Sequence, residues 1–172
     1  MRFAAWIMAG SAAALLAACG SETSGEFTTQ TGESAEYTID EKSGETRMTV
    51  DGPDGPATLR SGAEVPLSLP RGFSLYPGAK VVTNTVVKKP DGEGVMVMFE
   101  TPDAPDKVIA HYRREADAAG IAISVAMTTE RTVMIGGEDD GGRLTFSANA
   151  NAGAGDGEPT SVQLIIGRKT GG

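Results

Sequence analysis

Apolar and polar positions alternate with a period of two over most of the chain and switch once to a period near 3.6, which predicts many strands and a single helix. Tyr37 with Ile39, and Met48 with Val50, give each of two early runs one apolar face. Turn signals at Lys42-Ser43-Gly44-Glu45 and Asp51-Gly52-Pro53-Asp54-Gly55-Pro56 bound these runs, so residues 35–62 read as a small β meander. Residues 63–78 hold Pro66, Pro70 and Pro77, whose missing N–H groups disfavour a central strand. They read as an extended connector whose Leu67, Leu69, Phe73, Leu75 and Tyr76 remain free to pack on another layer. Residues 80–88 and 94–100 form a hairpin around Pro90-Asp91-Gly92-Glu93.

The period then lengthens. Val108, Ile109, Tyr112, Ala116 and Ala119 recur at three-to-four spacing, with Pro105 suited to the first helical position, Asp106 to the positive N-terminal end and Gly120 to the stop. An amphipathic helix over about 104–119 follows. Further strands are expected at 121–127, 132–135, 144–148 and 161–167, with a mobile, small-residue loop at 149–159. The expected fold class is α+β: an antiparallel sheet with the amphipathic helix packed on one face, preceded by the β meander. Residues 35–172 then form a single domain, with a β-β-α-β-β-β-β core over 79–170.

The first residues follow a different pattern. Arg2 gives a positive start, residues 3–16 are nearly all apolar, and Leu16-Ala17-Ala18-Cys19 follows directly. This arrangement resembles the lipobox of bacterial lipoproteins. The resemblance implies a signal peptide over residues 1–18, cleavage between Ala18 and Cys19, and acylation of Cys19. A membrane-spanning helix is disfavoured, because the apolar stretch barely reaches the roughly 17 residues needed and contains Gly10 and Ser11. In the family an Asp after the Cys often retains the protein at the inner membrane. Gly20 and Ser21 stand here instead, so the expected location is the outer membrane, with the domain facing the periplasm. Residues 19–34 are small and polar apart from Phe27 and read as a flexible tether.

Composition narrows the function classes. The 172 residues carry 15 basic and 23 acidic side chains, a formal net charge of −8, which opposes binding to phosphate backbones; no nucleic-acid partner is expected. One Cys precludes an internal disulfide, and one His precludes a His-rich metal centre. His111 is the sole imidazole, but its place beside Arg113 and Arg114 points it to solvent, away from any Ser or Cys nucleophile. Acidic, Gly-containing loops at 51–55, 91–94, 138–142 and 156–158 lack the spacing of a calcium loop and read as turns. Met96, Met98, Met127 and Met134 lie in expected strands and read as core packing, not as thioether ligands. No catalytic, cofactor-binding or metal-binding residue is assigned.

A second resemblance covers residues 70–125: Leu75-Tyr76-Pro77-Gly78-Ala79, then Thr101-Pro102-Asp103-Ala104-Pro105-Asp106-Lys107-Val108, then His111-Tyr112-Arg113 and Ala119-Gly120. It is similar to a segment of uncharacterised secreted proteins and lipoproteins of Gram-negative bacteria. Many relatives carry Trp after the helix-ending Gly, where this chain has Ile121. The resemblance implies a fold and a compartment and supplies no catalytic residue. The resulting expectation is a lipid-anchored, non-enzymatic envelope protein that binds a protein partner or supports envelope assembly. The alternatives are a periplasmic module for a small ligand or cation and, behind it, a carboxylate-dependent hydrolase.

Overall fold

A computed structural model describes residues 22–30, 32–155 and 157–170. The lipobox and its cleavage site, Ala18 and Cys19, lie outside these residues. Ten strands form one antiparallel sheet: β1 (Glu22–Thr28), β2 (Ser34–Asp40), β3 (Thr46–Gly52), β4 (Gly55–Gly62), β5 (Lys80–Lys89), β6 (Gly92–Thr101), β7 (Ile121–Thr128), β8 (Thr132–Asp139), β9 (Leu144–Asn151) and β10 (Thr160–Lys169). Among the described residues a single helix, α1 (Pro105–Ala118), lies between β6 and β7. The chain is therefore α+β, a large antiparallel sheet carrying one helix.

The order across the sheet is β1-β2-β3-β4-β5-β6-β10-β9-β8-β7. The first six strands are antiparallel neighbours in chain order, as hairpins except between β4 and β5, which residues 63–79 join. Helix α1 then carries the chain to the far edge, and β7, β8 and β9 step back until β10 slots in beside β6. The early meander belongs to this sheet, because Leu59 of β4 pairs with Val87 of β5.

Helix α1 begins after Ala104, whose extended backbone (φ −65°, ψ 150°) lacks a side-chain cap; Pro105 opens the helix and Asp106 occupies its first turn. It stops at Gly120, where φ of +77° suits only a residue without a Cβ. Its buried residues are Val108, Ile109, Tyr112 and Ala116, and it rests on β7, β8 and β9. Beside it, residues 63–79 carry no strand and lay Phe73 and Tyr76 onto the same face. Phe73 stacks on Phe146 of β9, with ring centroids 5.2 Å apart and 20° between the planes. The sheet side of this core is built from Val95, Val97, Phe99, Ile135, Phe146, Ala148, Val162, Leu164 and Ile166.

Two polar devices fasten the connector. Asn84, fully buried on β5, donates from Nδ2 to the carbonyls of Val65 (3.2 Å) and Pro66 (3.1 Å). Tyr112, also fully buried, accepts from the Tyr76 N–H at 3.1 Å and donates to the Ser74 carbonyl at 3.4 Å. Burial pushes the Tyr112 phenol well above its ordinary pKa.

Two expectations are corrected. The segment expected to be a flexible tether contains β1, which pairs along its whole length with β2. Its reason is aromatic: Tyr37 sits opposite Gly25, where a Cβ would come within 2.7 Å of the Tyr37 hydroxyl, and the Phe27 ring lies 6.4 Å from it. The small residue lets the ring lie across the edge strand. The second correction concerns the loop expected at 149–159. Strand β9 runs through Asn151, and Glu158 Oε2 then accepts the N–H groups of Ala154 (2.6 Å) and Gly155 (3.2 Å).

Candidate functional site

Strand register divides the side chains of the sheet into two faces, because directly opposed residues in antiparallel strands share a face. One face carries α1 and the connector. The other is open among the described residues. A single row crosses all ten strands on the open side: Gly25, Tyr37, Met48, Leu59, Val87, Gly94, Gly167, Thr145, Glu138 and Ala122. Gly94 precedes Val95, which is buried under the connector side, so the row faces away from the helix.

The apolar side of the sheet changes face along the chain. In β6, β8, β9 and β10 the apolar residues point to α1. In β1–β4 they point away from it: Phe27, Ala35, Tyr37, Ile39, Met48, Val50, Ala57 and Leu59 all share the open face. The charged side chains of those strands, Glu22, Glu26, Glu36, Asp40, Arg47, Asp51 and Arg60, share the opposite face. Phe27 is 44% and Ile39 37% exposed, whereas Ala35 is buried by its neighbours. A contiguous apolar sheet face without a covering layer marks an interaction surface.

On β6 and β10 the open face continues through Met96, Met98 and Ile165, and on β7 and β8 through Val125, Met127 and Met134. Ser147 and Asn149 of β9 separate these two groups. The methionines therefore do not fill the core, as the strand pattern suggested. Met98 and Met127 are among the exposed large hydrophobics, and Met96 and Met134 are half-buried on the same open side.

At the lower end of β5, β6 and β10 the open face is hollowed. Gly94 and Gly167 stand side by side and, with Gly92, floor a cavity of about 290 Å³ bounded by Val87, Thr145 and Arg143. Lys89 pairs with Gly92, and Gly92 with Lys169, whose N–H reaches the Arg143 carbonyl at 2.8 Å. Lys89, Arg143 and Lys169 are exposed and have no ion-pair partner among the described residues. Asp91 and Glu93 also line the cavity, but Glu93 is taken by Arg168.

The residues that the sequence put forward for chemistry make the following contacts. His111 is half-buried, not solvent-facing, edge-on to the rings of Tyr76 (5.2 Å) and Tyr112 (5.1 Å). Its Nε2 lies 3.2 Å from Glu115 Oε1 without hydrogen-bond geometry. Glu115 accepts both the N–H and the hydroxyl of Ser74. The carboxylate stands between serine and imidazole, so the Ser74 hydroxyl faces Glu115 and not the His111 ring. The acidic loop at 138–142 holds its own turn: Asp139 Oδ1 accepts the N–H groups of Leu144 (3.0 Å) and Arg143 (2.7 Å), which keep its carboxyl below the usual carboxylate range. No group of His, Cys, Asp and Glu among the described residues is placed to hold a metal ion. Asp156 lies outside them.

Sequence reasoning found the period-two faces of Tyr37, Ile39, Met48 and Val50 but not their direction. It missed the glycine-floored cavity; the available signal was Gly94 and Gly167 inside two otherwise apolar strands, each a place where a close approach is left open. No described helix is long and apolar enough to cross a membrane. No curated protein and no solved structure matches the chain significantly. A family model described as START domain-like matches residues 81–158, less than half of the chain, from β5 to the loop after β9.

Proposed function

We propose that this chain is a lipid-anchored, non-enzymatic binding module of the bacterial envelope, attached through an acylated Cys19 after removal of residues 1–18. Its binding surface is the open face of the sheet. The observation that carries the reading is the run of apolar side chains on that face with no layer over it among the described residues. The START domain-like match, a description that suggests a ligand-binding fold, agrees with a binding role. Leu16-Ala17-Ala18-Cys19 supports the anchor, and Gly20-Ser21 supports the outer membrane with the domain in the periplasm.

On the β6–β10 and β7–β8 part of the face, Met96, Met98, Ile165, Val125, Met127 and Met134 alternate with Ser147 and Asn149. Mixed apolar and hydrogen-bonding character, with adaptable thioethers, suits an envelope protein partner. A small anionic ligand in the glycine-floored cavity is the second reading, favoured by Lys89, Arg143 and Lys169.

The test is co-purification from envelope membranes in mild detergent of the tagged native protein, Cys19→Ser and Ile165→Asp. A stoichiometric partner retained by the native chain and lost from Ile165→Asp supports the leading reading. A partner that ignores Ile165→Asp, or no partner at all, removes it.

A further inference from the structure

We infer that the β1–β4 part of the open face, together with the cationic end of the glycine-floored cavity, lies directly on the lipid surface. The inference rests on the proposed anchor at Cys19 and adds to it an orientation: the domain lies face-down on the bilayer instead of standing off from it.

Three observations converge. The first is distance. Cys19 stands three residues before Glu22, the first residue of β1, and three extended residues span at most about 11 Å. A strand begins where a tether was expected, so an anchor at Cys19 holds the edge of the sheet within that distance of the headgroups.

The second is composition by face. The positions of β1–β4 that share the open side are Thr23, Gly25, Phe27, Ala35, Tyr37, Ile39, Thr46, Met48, Val50, Gly52, Gly55, Ala57, Leu59 and Ser61, and none is charged. Every acid of these strands is on the other side, away from lipid phosphates. A protein partner is commonly matched by mixed character, as on the β6–β10 part. A uniformly uncharged patch holding Phe27 and Tyr37 suits the boundary between headgroups and acyl chains, where aromatic rings settle.

The third is charge at the border. Lys89, Arg143 and Lys169 lie on the open face just past the end of the apolar patch, unpaired among the described residues, in a chain of formal net charge −8. Laid on a bilayer, they meet phosphates. Open-face acids stand at the margins: Glu41, just past β2, accepts the Thr23 hydroxyl at 3.0 Å, Glu33, just before β2, lies near Gly52, Glu100 opposes Lys80 at the other end of β5 and β6, and Glu138 lies beyond β9. Asp91, in the β5–β6 turn, is the one acid in the cavity without an ion-pair partner among the described residues.

The experiment uses the chain from residue 19 onward, coupled through its single thiol, Cys19, to a maleimide phospholipid in vesicles, so it reports on docking whether or not the cell acylates Cys19. The only Trp is Trp6, within residues 1–18, so Tyr37→Trp introduces a lone fluorophore on the open face, and Thr49→Trp places one on the opposite face. With bromine-labelled acyl chains, the Tyr37→Trp emission shifts to the blue and is quenched, while Thr49→Trp stays in water. Adding Leu59→Asp to Tyr37→Trp releases the quenching, by roughly tenfold in the docked-to-free ratio, with the far-ultraviolet spectrum and melting unchanged. Docking strengthens when phosphatidylglycerol replaces part of the phosphatidylcholine, and Lys89→Glu removes that gain. Equal, unquenched emission from both probes overturns the inference. So does quenching that appears only at high surface density, because the face then meets a second copy of the chain. Mass spectrometry of Cys19 from native membranes tests the anchor separately, so failure of the anchor and failure of the docking give different results.

Discussion

Gly94 of β6 stands directly opposite Gly167 of β10, and the missing side chains at this pair open the floor of the cavity on the uncovered face. A Cβ at Gly94 would meet nothing closer than the Ile166 carbonyl at 3.9 Å, an ordinary contact. Gly94→Val therefore folds as well as the native chain, with a stability change below about 1 kcal/mol, since a β-branched residue suits a strand. It fills the cavity all the same. The expected pair of results is an unchanged thermal midpoint and a weaker response of vesicle docking to phosphatidylglycerol. A lowered midpoint contradicts the open space at Gly94.

Tyr112 and Tyr76 are coupled through a hydrogen bond from backbone N–H to phenol inside the core. Tyr112→Phe keeps the ring and strands the Tyr76 N–H, and leaving a buried donor unsatisfied costs about 1–3 kcal/mol. Urea unfolding should show that loss as a lower midpoint with an unchanged slope. A neutral result means that water reaches the Tyr76 N–H once the hydroxyl is gone.

Glu45 is nearly buried between Arg47 and Arg60, each with its Nε 2.8 Å from Glu45 Oε1. The Arg60 hydrogen bond first, then that from Arg47, lowers the Glu45 carboxyl to a pKa of about 2. Because the folded value lies below the unfolded one, the stabilisation is fully present above the unfolded pKa and disappears as pH falls through the folded value. Native stability should decline from near pH 4.5 toward about 2 with a component that Glu45→Gln lacks. At neutral pH the same variant should lose about 1 kcal/mol, because both arginines are largely solvent-exposed and the pair is screened. Urea midpoints across that range, compared between the two chains, check the sign.

Strand β1 is held at an edge by Tyr37 lying across Gly25 and touching Phe27. Tyr37→Ser removes that cover. Amide hydrogen exchange over residues 22–28 should accelerate at least tenfold, while protection in β6 and β10 is unchanged, since edge strands open independently of the core. Equal acceleration throughout would mean that β1 is part of the cooperative unit.

Much of the architecture is readable from the chain because local signals agree. Pro105, Asp106 and Gly120 bracket the helix, and the turn residues at 51–56 and 90–93 bracket hairpins. What is not readable depends on long-range register. The apolar alternation in β1–β4 looks the same whichever way it points, and its direction is set only by β4 pairing with β5. There Val86 and Val87 are both apolar, so β5 serves the helix side and the open side at once, and the alternation gives no sign of the change of face. Strand β1 was hidden for another reason: its residues are small, polar and mostly exposed, and its order comes from an aromatic ring supplied by β2. The cavity depends on Gly94 and Gly167 being neighbours across 73 positions of sequence, which no local window contains.

The position of β10 has a kinetic consequence. The last of the described strands lies in the middle of the sheet, between β6 and β9. The first four strands can zip as successive hairpins, and so can β5 with β6 and β7 to β9, yet the two halves stay unjoined until β10 pairs with β6 and closes the largest loop in the fold, the slow step expected of non-local pairing. Until then β6 and β9 both present bare edges. A chain that ends early, even by ten residues, is left with two half-sheets open to one another and to every other unfinished copy, so the final strand decides between folding and aggregation.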